Sequence, residues 1–168
     1  MTTIIYCNGV MACDGRLSTD DGDIHTDSYV KIRDCGRYIV GLCGDAMHFE
    51  AVWKWYANGC KHKTKPPGAY SSLAFDKHTG SLHTYEMDAD SCIFLPDGEA
   101  TAIGAGANLA RVALMCGKGA AEAIKIVEQF QSGTGGKIST LKCCIEKKNT
   151  TGRGKAPKKK AAVTKNAA

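Results

Sequence analysis

Asn8-Gly9 is the pair that most restricts the fold of this chain. It separates two short β-rich apolar runs, Thr3–Cys7 and Val10–Cys13. Both residues tolerate positive φ, so the pair predicts a tight hairpin that starts almost at the first residue. Residues 29–32 and 38–42 form a second apolar pair around the turn-forming Asp34-Cys35-Gly36. Phe49, Val52, Trp53 and Tyr56 then recur at helical spacing, with Asp45 as a candidate N-cap and Gly59 as the stop. Residues 61–68 form a polar loop. Residues 70–75 and 81–87 alternate as another hairpin, and 100–103 is a short strand entering Gly104-Ala105-Gly106. Residues 108–116 and 120–130 are helical, broken at Gly117-Lys118-Gly119, and 138–145 returns to strand. Strands, helix, strands, two helices, strand is a segregated order, which predicts an α+β fold.

The chain has 168 residues, one domain's worth with a core. Eight of its Lys and Arg residues fall in 147–168, which holds no acid; subtracting them from the net +5 leaves −3 for residues 1–146. The expected division is a body over 1–146 and a basic, disordered tail over 147–168. Charge therefore argues against a nucleic-acid-binding body and leaves only salt-sensitive binding through Lys158-Lys159-Lys160 and its neighbours. No apolar run is long enough for a membrane span, and the first residues lack a signal-peptide pattern. These features lead us to expect a cytoplasmic protein. The nine cysteines are odd in number, scattered, and without a CxxC pair, which favours buried reduced thiols over a disulfide framework. The five histidines show no ligand spacing, and Gly104-Ala105-Gly106 lacks the third glycine of a dinucleotide loop. No metal and no cofactor is expected.

Removal of Met1, favoured by the small residue that follows, would leave Thr2 at the N-terminus. An α-amine has an ordinary pKa of about 8 and is a suitable base for the hydroxyl of its own residue. Many chains begin Met-Thr, so Thr2 gains meaning only from its company. Asp14 ends the strand that pairs back toward the N-terminus. Lys31 lies in an apolar strand, where the pattern permits either a solvated lysine or a buried one paired with Asp14. A nearby Lys31 charge would depress the amine pKa. Gly44 sits where a strand runs straight into a helix, and backbone N–H groups there can receive an oxyanion.

Thr2-Thr3, Asp14-Gly15, Lys31-Ile32, Leu42-Cys43-Gly44, Ala102-Ile103-Gly104-Ala105-Gly106 and Thr134-Gly135-Gly136 resemble, in order over residues 2–145, the proteasome β-subunit family and especially its HslV-type members. The resemblance implies a four-layer αββα sandwich of the N-terminal-nucleophile hydrolase type, acting as a threonine peptidase. It implies Thr2 as nucleophile, Asp14 and Lys31 as the supporting charge pair and Gly44 as oxyanion donor. Leu42 and Thr19 would contact substrate, and Thr134 would support the site. The implied partners are a peptide or unfolded-protein substrate, further copies of the chain in a ring or stacked rings, and an ATP-dependent unfoldase. Small size, short loops and the basic tail suit a compact phage or bacterial member.

The sequence departs from the family pattern at three places. Ala105 stands where the family has a serine. Gln131 stands where it has an aspartate. Between Asp45 and Tyr70 there is room for about one helix instead of two. The competing expectation is a catalytically weak or silent proteasome-like structural or assembly subunit.

Overall fold

The Asn8-Gly9 turn forms as expected, with φ of 49° and 75°. It joins β1 (Thr3–Cys7) to β2 (Val10–Cys13), antiparallel with Cys7 opposite Val10. The computed structural model describes residues 2–19, 21–61, 65–86, 91–95 and 100–146, with backbone alone for 91–95. The expected tail over 147–168 lies outside the described residues, as does Met87.

Two more short strands, β3 (Leu17–Ser18) and β4 (Ile24–Thr26), form a two-stranded arm. Next come β5 (Ile32–Cys35) and β6 (Tyr38–Gly44). Their turn lies at Gly36-Arg37, and Gly36 has a φ of 78°. The first strand of this pair begins at Ile32 and not at Tyr29, because Tyr29 donates its backbone N–H to Gly15 O. Asp45 caps a 3-10 turn, Ala46–His48, which leads into α1 (Phe49–Ala57). Then follow β7 (Tyr70–Asp76), β8 (Leu82–Glu86), β9 (Ser91–Leu95) and β10 (Thr101–Gly104). The chain continues through α2 (Ala107–Met115), α3 (Ala120–Phe130) and β11 (Ser139–Lys142).

Hydrogen bonding sorts the long strands into two antiparallel sheets, ordered β10-β1-β2-β11 and β5-β6-β7-β8-β9. Three apolar clusters show how they stack. Ile4, Tyr6, Met11 and Ile103 of the first sheet meet Ile32, Ile39, Leu73 and Phe75 of the second. The next residues along β1 and β10, Ile5 and Ala102, turn the other way onto Ala110, Ala123 and Ile124 of α2 and α3. On the far side, Val40, Leu42 and Ala74 meet Phe49, Val52, Trp53 and Tyr56 of α1. Period-2 alternation in strands that are buried on both faces thus generates four layers, αββα. Gly41 lets the sheets approach closely: a Cβ there would stand 2.5 Å from Ile4 Cγ2.

Most of the described cysteines behave as small apolar residues, while Cys116 and Cys144 are exposed. Cys7, Cys13, Cys35, Cys43 and Cys143 are buried and reduced. No described helix is long and apolar enough to cross a membrane.

Candidate active site

β1 lies between β10 and β2, and Thr2 is the residue immediately before it. Its carbonyl accepts the Ala105 N–H at 2.9 Å. Gly104 makes that approach possible: its φ is +90°, and a Cβ would stand 2.2 Å from Thr2 O. Thr2 faces a cavity of about 880 Å³ whose wall includes Gly44, Ala105, Phe49, Tyr70 and Thr19.

The expected charge pair lies directly behind. Thr3 donates its backbone N–H to Asp14 Oδ1 at 2.8 Å. Lys31 Nζ reaches both Asp14 oxygens at 3.0 Å and the Arg16 carbonyl at 2.6 Å. Both side chains are fully buried. Burial pushes the Lys31 pKa below its ordinary value, and the Asp14 carboxylate opposes that shift. Asp14 also takes the N–H groups of Arg16 at 3.2 Å and Gly135 at 3.4 Å. The carboxylate is thereby held by a lysine and three backbone donors, the satisfaction a buried charge requires.

Gly44 also lines the cavity. Its φ is +110°, and a Cβ would fall 2.4 Å from Ala69 O, so only glycine fits. Thr134 is buried and meets Thr3, with 2.7 Å between the two hydroxyl oxygens, rather than Thr2. Gln131 caps α3, and its carbonyl accepts the Thr134 N–H.

Leu42 requires a correction. It is absent from the cavity wall and 0% exposed, packed in the α1-side cluster. Phe49 and Tyr70 of the same cluster reach the wall in its place. Alternation on β6 turns Cys43, not Leu42, toward the space between the sheets. Sequence reasoning also missed Leu17, Ala46 and His25 as lining residues. The helical stripe that contains Phe49 was a usable signal, but the arm that carries Leu17 and His25 left none. No group of His, Cys, Asp and Glu suited to a metal occurs among the described residues.

No protein-family model matches this chain, and no curated protein matches it in sequence. Solved structures match by shape. HslV from Trypanosoma brucei aligns with a TM-score of 0.64 at 11% identity, over 84% of this chain and 98% of that one. BPH from Thiobacillus denitrificans, in complex with epoxomicin, gives 0.65 at 14% identity over 87% and 99%. A second structure of Thiobacillus denitrificans BPH gives 0.62 at 14% identity over 86% and 98%. The fold is that of HslV. The two sheets and the helices outside them are therefore the layers of a proteasome-like sandwich. Within that fold Ala105, at the cavity wall beside Thr2, brings a methyl group where the resemblance expects a hydroxyl.

Proposed function

We propose that this chain is a threonine peptidase of the proteasome β-subunit and HslV type, with Thr2 as its nucleophile. The observation that carries the reading is the buried Asp14–Lys31 pair, tied to the backbone of Thr3 immediately behind a Thr2 that faces a large cavity. A fully buried ion pair is costly to assemble, and placing one at the first residues of the chain suits electrostatic control of an N-terminal amine.

In this mechanism Met1 is removed and the Thr2 α-amine, acting through a water, takes the proton of its own hydroxyl. The Oγ attacks the scissile carbonyl carbon, and the oxyanion that forms is received by the Gly44 N–H. The C–N bond breaks, the departing nitrogen takes the proton, and an ester remains on Thr2. Water then hydrolyses the ester and restores the hydroxyl. Lys31 disfavours a second positive charge nearby and keeps the amine in its basic form. The apolar wall of Leu17, Ala46, Phe49 and Tyr70 suits an apolar side chain next to the cleaved bond. The substrate would be a peptide or unfolded protein, cleaved inside a ring of identical chains. Folded substrates would need an ATP-driven unfoldase.

A second reading, a silent structural subunit of the same fold, is favoured by Ala105 alone. Covalent labelling separates the two. Epoxomicin, the compound bound in one BPH structure, should modify Thr2 in the wild type and leave Thr2→Ala unmodified. Processed protein that stays unlabelled favours the silent subunit.

A further inference from the structure

The β3–β4 arm supplies Leu17, Ser18, Thr19 and His25 to the cavity wall, yet it forms a sheet of its own, paired with no other described strand. It contains only two and three strand residues, too few for an independently stable hairpin. Arg16 immediately precedes β3, Asp27 immediately follows β4, and the first register pair between them is Leu17 with Thr26. Arg16 Nε donates to Asp27 Oδ1 at 2.8 Å, and Nη2 reaches Oδ2 at 3.4 Å. A two-pronged ion pair therefore spans the base of the arm. The third guanidinium nitrogen, Nη1, donates to Ser132 O at 2.7 Å. Gly135 leaves room for the group: a Cβ there would be 2.9 Å from Arg16 Cζ. The Arg16 backbone faces the buried pair, its N–H donating to Asp14 and its carbonyl accepting from Lys31 Nζ.

We propose that Arg16 is a positioning residue: through Asp27 it closes the base of the β3–β4 arm and so fixes a wall of the Thr2 cavity, and through Ser132 it holds the loop that sets Thr134 against Thr3 and Gly135 against Asp14. Its kinetic consequence rests on the peptidase reading above, whereas its structural consequence does not. The Asp27 side chain serves the arm through Arg16, while its backbone carbonyl, which both variants keep, accepts the Lys137 N–H at 2.6 Å. Arg16 serves the arm and the 132–135 loop.

The test compares Asp27→Asn with Arg16→Met; both variants keep side-chain bulk and every backbone bond of residues 16 and 27. Hydrogen exchange should quicken at the amides of residues 17–26 in both variants by about fivefold, the upper end for a partly exposed pair, while β1 and β2 keep their protection. With a peptide substrate, the loss in Asp27→Asn should fall chiefly on KM. In Arg16→Met it should fall on KM and kcat together. If the wild type turns over no peptide, the peptidase reading has failed, and exchange together with peptide Kd by anisotropy still decides the arm. Unchanged exchange at 17–26 overturns the proposal. So does faster exchange with no change in peptide KM or Kd.

Discussion

Lys31 is the residue whose environment says most about the site. The sequence pattern permits a solvated strand lysine as readily as a buried one, because alternation cannot tell an edge from an interior. The fold places Lys31 at 0% exposure against Asp14. Replacing it with methionine strands a buried carboxylate, and Lys31→Met should cost about 3–5 kcal/mol in urea unfolding. Gly104 is the second sensitive position. Gly104→Ala forces a strained φ and a Cβ 2.2 Å from Thr2 O. The Thr2 backbone must move, and on the peptidase reading the cleavage rate should drop by about 100-fold, the scale of an ångström-level misplacement. Progress curves on a fluorogenic peptide would measure it.

The elements that could be read from sequence are those with a strong local signal. Asn8-Gly9 forced the first hairpin, and the Phe49, Val52, Trp53 and Tyr56 stripe marked α1. Ala120–Phe130 was matched residue for residue. β3, β4 and β9 went unread. β3 and β4 are too short to show a period, and nothing around Ser91–Leu95 announced pairing with β8. The correction at Leu42 has the same origin: the strand was recognised, but which face looked at the cavity depended on where α1 packed. The β7–β8 turn carries an expected pH effect. Burial alone would raise the Asp76 pKa, but hydrogen bonds from Arg37 and the His78 N–H outweigh it and bring the value from 3.8 to about 2. A lowered folded pKa means that the carboxylate stabilises the fold above about 4, and that this contribution is lost as pH falls from about 4 toward 2. Asp76→Asn should be less stable than wild type at pH 6, with the gap narrowing toward pH 2, as followed by urea midpoints.

At the scale of the whole molecule, the four-layer architecture was legible because six short motifs fell in the right order. The layers themselves, the cavity and the arm are products of packing that no motif encodes. The −3 charge of residues 1–146 sets a further expectation. Any retention on a DNA column at low salt should come from 147–168 and vanish in a chain ending at 146, since the tail is basic without an acid while residues 1–146 carry a net negative charge. The central claim concerns Thr2 itself, and intact-mass spectrometry after incubation with epoxomicin tests it most directly. The predicted result is a chain lacking Met1 and carrying one adduct, located at Thr2 and absent in Thr2→Ala. A chain that retains Met1, or a processed chain that stays unmodified, would contradict it.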